Sequence, residues 1–118
     1  MSFSFEKLDI YKKAVEFAND IYEITKDYPK SEIFGITNQL RRASLSMSLN
    51  IAEGSGRSKK EFRHFLDMAR TSGYECIPIL EISKRQGYIS DELFNSLYKK
   101  CNELVRSINA LKNSIREL

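Results

Sequence analysis

Apolar residues recur at alternating steps of three and four along the last quarter of the chain. The series consists of Phe94, Leu97, Cys101, Leu104, Ile108, Leu111, Ile115 and Leu118. Steps of three and four keep side chains on one face of an α-helix, and their alternation is typical of a helix that packs against its neighbours at a shallow angle. The pattern therefore predicts a long amphipathic helix within a bundle.

Three earlier segments have the same period, and residues that end or start helices separate them. The residue before a proline avoids the α region, so Tyr28 and Pro29 end the first helix, and Ser31 is placed to cap the second. Ser58 and Glu61 have the spacing of a capping box at the start of the third helix. The predicted helices cover about residues 9–28, 32–53, 59–86 and 91–117.

The third segment contains a proline that bears on its continuity. Pro78 lacks the amide that would bond the carbonyl of Tyr74. The apolar period stays in phase on both sides of Pro78, so we expect one kinked helix rather than two helices. Gly87 is suited to the position just after the end of this helix, and Ser90 to the cap of the fourth.

The length and composition favour one domain with few turns. A chain of 118 residues buries roughly two thirds of its surface on folding, which is enough for one core. Five glycines and two prolines are too few for the many turns of a β-sandwich or barrel. We therefore predict an all-α protein in which residues 1–118 form a single up-down-up-down four-helix bundle.

The same composition argues against metal chemistry and catalysis. The chain has one histidine, His64, and two cysteines, Cys76 and Cys101, with none of the usual zinc-ligand spacings. His64 has no evident acid or nucleophile partner, so we expect a surface residue rather than a catalytic base. We predict a protein without a metal, a cofactor or enzymatic activity.

The cysteines and the N-terminal charges bear on the cellular compartment. Both cysteines lie within apolar helical patterns, which favours buried thiols, and a disulfide is the alternative. Glu6, Asp9 and Glu16 interrupt the segment where a signal peptide would be apolar. No run approaches the ~20 apolar residues of a membrane span. We expect a cytoplasmic protein with no membrane partner.

The second predicted helix is apolar on two sides. One side, which we expect to face the core, carries Ile33, Ile36, Leu40, Met47 and Ile51. The nearly opposite side carries Phe34, Leu45, Leu49 and Ala52. The first helix also has a second apolar stripe, whereas a monomeric bundle has one core to fill. The second side therefore predicts contact with another copy of the chain, in a homo-oligomer.

A polar stripe runs between the two apolar sides of the second helix. It contains Gln39, Arg42, Ser46, Asn50 and Glu53. We predict a structural network in which Arg42 bonds Glu53 or Asn50, because a half-satisfied polar group is costly to bury. A contact with a ligand or a nucleic acid is the alternative.

The net charge of +3 is unevenly distributed. Residues 40–70 carry seven Lys or Arg against three Asp or Glu, and the rest of the chain is nearly balanced. The turn after the second helix combines glycines, serines, a helix start and cations, which are groups that contact phosphates. The candidate nucleic-acid-binding residues are Arg41, Arg57, Lys59, Lys60, Arg63 and Arg70. The alternative is a set of solvated loop charges, although copies repeated in an oligomer would sum their attraction for a polyanion.

Several runs of residues resemble a known bacterial family. They are 39–44 (QLRRAS), 50–54 (NIAEG), and Glu61-Phe62 with Phe65-Leu66 and Ala69-Arg70. These runs are similar to those of the four-helix-bundle proteins encoded by intervening sequences of bacterial 23S ribosomal RNA genes, and the resemblance covers about residues 3–112. The chain departs from the family pattern at Thr71, where glycine is usual, and at Pro78, where an ordinary helix former is usual.

This resemblance implies a particular assembly and function. It implies a four-helix bundle that forms a ring-shaped homopentamer, with a positively charged surface that binds RNA or DNA and no known enzymatic activity. A similar protein, the accessory variability protein of diversity-generating retroelements, partners a reverse transcriptase. The alternative function is therefore that of a protein-interaction adaptor.

Overall fold

Four long helices joined by short connections make up the computed structural model, which describes residues 2–116. The helices are α1 (Asp9–Thr25), α2 (Ile36–Ser55), α3 (Lys59–Arg85) and α4 (Asp91–Ser114). Short 3-10 turns cover Ser4–Lys7 and Lys30–Glu32, and residues 2–116 contain no strand. The described chain is thus all-helical, consistent with a four-helix bundle. The predicted end of the fourth helix at Glu117 and the seam residue Leu118 lie outside the described residues.

The helices stand around one core in chain order. Each helix packs against the next. Helix α1 also packs against α4, and this is the least extensive of the four helix–helix contacts. The bundle is 49 Å long. We call the end where α2 ends and α3 begins the basal end, and the opposite end the apical end. Because the connections are short, α1 starts and α4 finishes at the basal end as well.

The buried residues follow the apolar series expected from the sequence, except that Ile33, which was expected to face the core, lies before α2 and is exposed. Core residues fully enclosed by the four helices include Phe17, Ile21, Leu40, Met47, Ile51, Leu66, Leu80, Leu104 and Ile108. Cys76 and Cys101 are also buried and are free thiols, which confirms the first of the two expectations for them. The adjacent Cys101 thiol and burial both raise the pKa of Cys76, so this group stays protonated at neutral pH.

Two glycines set how closely the helices approach. A Cβ on Gly54 would lie 2.4 Å from Cβ of Phe65, so the basal ends of α2 and α3 nearly touch. A Cβ on Gly73 would lie 2.5 Å from Val105 and 2.9 Å from Met47, where α2, α3 and α4 converge. These contacts fill the space that a side chain would need, because protein interiors are close-packed.

The predicted helix signals are mostly confirmed. The hydroxyl oxygens of Ser58 and Ser90 accept hydrogen bonds from the amides three residues on, at 3.2 and 3.0 Å. Gly87 has a φ of +78° just after α3, the left-handed conformation that glycine adopts easily. The helix α3 continues without a break through Pro78, as expected from the uninterrupted apolar period.

The connection between α1 and α2 was predicted wrongly. Helix α1 ends at Thr25 rather than residue 28, and α2 begins at Ile36 rather than residue 32. Ser31 caps neither helix, because it lies inside the 3-10 turn that follows Pro29. At its other end α2 continues to Ser55, two residues beyond the predicted end.

Candidate nucleic-acid interface

Charge is distributed unequally between the two ends of the bundle. Residues 2–13, 52–66 and 106–116, which form the basal end, carry ten Lys or Arg against four Asp or Glu. Residues 22–35 and 80–95, which form the apical end, carry four against six. The bundle is therefore electrically polar along its long axis, with its positive charge at the basal end.

Lys59 and Lys60 are the most available cations of the predicted set. Both are exposed in the first turn of α3, and neither makes a hydrogen bond or an ion pair with any residue in the described range 2–116. The Ser58 cap places them at a helix start, where the backbone dipole favours anions. This turn can therefore offer two uncompensated ammonium groups to a phosphate backbone.

Arg57 lies beside these lysines, but carboxylates compensate its charge. Its guanidinium bonds Glu53 at 3.0 Å and Glu61 at 3.3 Å, and it lies 5.1 Å from the ring centroid of Phe65. Hydrogen bonds from the hydroxyl of Ser58 and from Arg57 lower the pKa of Glu61. Arg57 can reach a phosphate only by exchanging partners.

Arg63 has a structural role at the basal end. Its Nη1 donates to the backbone carbonyl oxygens of Lys112 at 2.9 Å and Ile115 at 2.8 Å. These carbonyls belong to the last turn of α4 and to the residues after it, which lack helical donors. Arg63 thereby ties the end of α4 to the start of α3.

Arg70 and Arg41 lie away from the other four predicted residues. Arg70 donates twice to Asp67 Oδ1, at 2.7 and 3.0 Å, about three turns into α3. The Arg70 hydrogen bonds and one from Lys112 lower the pKa of Asp67. Arg41 lies between α2 and α1, where its Nε donates to Thr25 Oγ1 at 2.8 Å. The structure thus brings Arg57, Lys59, Lys60 and Arg63 together and separates Arg41 and Arg70 from them.

Sequence reasoning missed six basal cations because they come from the first and last segments of the chain. They are Lys7, Lys12, Lys13, Arg106, Lys112 and Arg116. Counting charge by continuous sequence block hides them, because they lie far from residues 40–70 along the chain. Counting charge by bundle end, using the predicted antiparallel order of the helices, would have found them.

The predicted polar network on α2 does not form. Glu53 bonds Arg57 rather than Arg42, and Asn50 Nδ2 donates to the backbone oxygen and hydroxyl of Ser46 at 2.9 and 3.0 Å. Ser72 donates to the same Ser46 hydroxyl at 3.0 Å. Asn50 therefore helps to join α2 to α3.

The other two residues of that predicted network, Gln39 and Arg42, are exposed. Within residues 2–116 neither has a hydrogen-bond or ion-pair partner. Arg42 cannot pair with Glu53 because the two residues lie about 16 Å apart along the axis of α2, at a rise of 1.5 Å per residue. Both side chains line an open groove of about 900 Å³ between α2 and α3, together with Leu45, Leu49, Ser72, Glu75, Pro78 and Ile79.

The second apolar side of α2 is exposed, as the sequence indicates. Leu45 and Leu49 are exposed, and so are Val15 and Tyr22 on the neighbouring face of α1. We call these four residues the outer face. Phe34, just before α2, is 93% exposed, which is unusual for a large aromatic side chain. Contact of these residues with another copy remains a prediction.

A family model decides what this chain is related to. The model described as 23S rRNA-intervening sequence protein matches residues 6–110, which span α1 to α3 and all but the last turn of α4. The chain belongs to the 23S rRNA-intervening sequence protein family. The resemblance noted in the QLRRAS and NIAEG runs is thereby confirmed.

A solved structure supports the fold of this family member. It is a crystal structure of a protein with unknown function from the S23 ribosomal protein family of Bacteroides thetaiotaomicron VPI-5482. It is 25% identical in sequence, has a TM-score of 0.81, and covers 87% of this chain and 97% of its own. No curated protein matches the chain.

No helix among residues 2–116 is both long and apolar enough to cross a bilayer. In the same range, no three side chains of His, Cys, Asp or Glu come together in a way that could hold a metal ion.

Proposed function

We propose that this family member is a non-enzymatic nucleic-acid-binding protein that acts as a homo-oligomer. In this proposal its basal end contacts the phosphates of RNA or DNA. The observation that carries the proposal is the excess of ten cations over four carboxylates at that end, against the reverse balance at the apical end. A polyanion approaching the bundle is therefore attracted to its basal end.

Lys59 and Lys60 are the principal contacts in this proposal, since neither is compensated by a described residue. Ammonium groups bind phosphates as point charges and do not read bases. Binding should therefore be insensitive to sequence and should weaken steeply as the salt concentration rises. Arg57 and Arg63 contribute to the local field while holding Glu53, Glu61 and the end of α4.

The outer face supports the homo-oligomer. Val15, Tyr22, Leu45 and Leu49 are exposed along the side of the bundle, so a ring in which this side meets a different side of the next copy keeps all copies parallel. Parallel copies place every basal end on the same rim, where their charges add. A closed ring of this kind, with five copies as the family resemblance implies, is the assembly we propose.

The binding proposal is tested by reversing charge at the basal end. Lys59→Glu with Lys60→Glu is compared with Arg85→Glu with Lys99→Glu, a pair of exposed positions away from the basal end that changes the net charge equally. Fluorescence anisotropy with labelled duplex DNA and structured RNA is measured at two salt concentrations. We expect the basal variant to bind about 10-fold more weakly at low salt. The slope of log K against the logarithm of the salt concentration should become less negative by about 2.

Either of two results would overturn this site. The first is unchanged binding by the basal variant. The second is an equal loss in both variants, because that would show a response to net charge rather than to the basal end.

The assembly is tested by light scattering. Leu45→Glu with Leu49→Glu should convert the oligomer to a monomer, because burying two carboxylates in an apolar interface is costly. Asn109→Glu, at an exposed position on α4, is the control and should leave the particle mass unchanged. A native particle with the mass of one chain would contradict the homo-oligomer.

A second function, that of an adaptor for a protein such as a reverse transcriptase, is favoured by the α2–α3 groove. The groove of about 900 Å³ has apolar walls and a polar rim of Gln39, Arg42 and Glu75, a combination that suits a partner's amphipathic helix. The test is co-expression with a reverse transcriptase encoded at the same locus. A complex that is lost on Ile79→Glu supports the adaptor, and the absence of a complex contradicts it.

A further inference from the structure

An open pocket lies between the apical end of α1 and the start of α2, at the opposite end from the proposed nucleic-acid interface. Its volume is about 320 Å³. Its polar lining comes from Thr25, Lys26, Lys30, Thr37 and Arg41. Apolar parts of the wall come from Tyr28, Pro29 and Ile33, and no residue lining the pocket carries a carboxylate.

Arg41 in this pocket is partly buried and has no carboxylate partner. Its Nε donates to the hydroxyl of Thr25 at 2.8 Å, and its guanidinium lies 4.9 Å from the ring centroid of Tyr22. Among residues 2–116 it forms no ion pair, which leaves both terminal Nη groups available. Arg70, which is buried to a similar degree, is paired with Asp67 at 2.7 Å. An unpaired guanidinium that is partly removed from water favours an anion beside it.

Thr37 is a second residue of this pocket whose polar group lacks a partner. Its side chain is almost fully buried, at 2% exposure, and its hydroxyl has no hydrogen-bond partner among the described residues. A buried hydroxyl without a partner destabilises the folded state, because it has lost its hydrogen bonds to water. Thr37 lines the same pocket as Arg41, one turn earlier on α2, so rotation of its side chain about χ1 would turn the hydroxyl toward a ligand bound there.

The side chains that line the pocket carry only positive charge, while the carboxylates of Glu23, Asp27 and Glu32 lie close to them along the chain. Lys30 is exposed and unpaired within the described chain, and Lys26 bonds Glu23 at 3.0 Å on the surface. Of these three carboxylates, Glu32 is already engaged at the start of α2. It accepts from the hydroxyl of Tyr88 at 2.9 Å and from the amide of Ile36 at 3.5 Å.

We propose that this pocket binds a phosphate monoester carried on an apolar or aromatic body, of which a nucleoside monophosphate is the simplest case. The two Nη groups of Arg41 match the oxygens of a phosphate as a planar fork, and Lys30 and the Thr37 hydroxyl supply further donors. The rings of Tyr28 and Pro29 and the side chain of Ile33 cover the organic part. This site is separate from the basal end and does not depend on the function proposed for that end.

The test uses the full chain and three probes: adenosine 5′-monophosphate, adenosine and inorganic phosphate. Calorimetric titration should show saturable binding of the monophosphate, weaker binding of inorganic phosphate and none of adenosine. A 5′-phosphorylated oligonucleotide, compared with its 5′-hydroxyl form, shows whether the phosphate can come from the end of a nucleic acid. Loss of a charge-assisted hydrogen bond should make Arg41→Gln bind about 10-fold more weakly.

Two variants separate binding from folding. Arg42→Gln removes the same charge one residue away, on the side of α2 that faces the α2–α3 groove, and should bind normally. Thr37→Val removes only the unpartnered hydroxyl, so its unfolding midpoint should stay equal or rise while binding weakens. If the Thr37 hydroxyl does not contact the ligand, Thr37→Val should raise the unfolding midpoint and leave binding unchanged.

Several results would overturn the proposal. They are equal affinity for adenosine and its monophosphate, equal losses in Arg41→Gln and Arg42→Gln, and unchanged binding in Thr37→Val. A change in particle mass of Arg41→Gln without a change in phosphate binding would also overturn it, because that would place Arg41 in an interface between copies.

Discussion

The two ends of the bundle are held together by different means. At the basal end, Gly54 lets α2 and α3 approach so closely that a Cβ there would lie 2.4 Å from Phe65. At the apical end the contacts are between long side chains: Tyr28 and Tyr88 have ring centroids 5.2 Å apart, and Tyr88 bonds Glu32. The basal end depends on backbone proximity, and the apical end on side-chain groups.

This difference matches the functions that we propose for the two ends. Charge can accumulate at the basal end because tight helix packing and the Arg63 tie hold its cations in place. The apical end has a looser connection of ten residues between α1 and α2, and this connection leaves a pocket. A helix end fixed by its backbone carries exposed charge, whereas one fixed by side chains leaves room for a ligand.

The largest expected effect is at the basal end. Gly54→Ala places a methyl group against Phe65 and Phe62, and we expect it to lower the free energy of unfolding by about 3 kcal/mol because the two helices must separate. Gly56→Ala is the control, since a Cβ there meets nothing within 4 Å. Chemical denaturation measures both, and equal stabilities of the two variants would show that the close approach at Gly54 does not hold the basal end together.

The next effect concerns the tie between α3 and α4. Arg63→Met removes the donor to two carbonyl oxygens, and we expect a loss of about 1–2 kcal/mol. Lys60→Met, one turn earlier and exposed, should leave the stability unchanged. If Arg63→Met were as stable as Lys60→Met, Arg63 would be a surface cation rather than a structural residue.

The smallest effect is expected at the apical end. Tyr88→Phe removes the hydroxyl that donates to Glu32 at 2.9 Å and should lower the thermal midpoint by less than either basal substitution. Tyr98→Phe, an exposed tyrosine whose hydroxyl bonds no residue in 2–116, is the matched control.

The same hydrogen bond predicts a pH dependence. The bond to the Glu32 carboxylate raises the pKa of Tyr88 above its ordinary value of 10.0. A raised pKa in the folded state means that the stabilisation is fully present below pH 10 and is lost as the pH rises through the folded pKa. The midpoints of Tyr88→Phe and the native protein should therefore converge in strongly alkaline buffer. A constant difference across this range would contradict the assignment.

Much of the fold follows from local chemistry that a sequence displays. The seams, the Ser58 and Ser90 caps and the Gly87 turn depend on residues within one or two helical turns, and the structure confirms them. The connection between α1 and α2 was predicted less well. Pro29 indicates that α1 must end before it but does not show that a 3-10 turn follows, because that turn depends on packing of the whole apical end.

The candidate interface was predictable in part for the same reason. The cluster of Arg57, Lys59, Lys60 and Arg63 is local in sequence, and the structure keeps it together. The ion pairs that compensate Arg57 and Arg70 were not predicted, although both have carboxylates three or four residues away in the sequence. Contacts between helices, such as Arg63 with the end of α4, need the register of the bundle.

The small contact area between α1 and α4 determines where the bundle opens first. Lys100 bridges it by bonding Asp20 at 2.6 Å and Glu16 at 3.6 Å, on a surface where dissolved ions screen such attractions. The other three pairs of neighbouring helices are joined directly by the chain and pack more extensively. Transient opening of the bundle should therefore begin with the separation of α1 from α4.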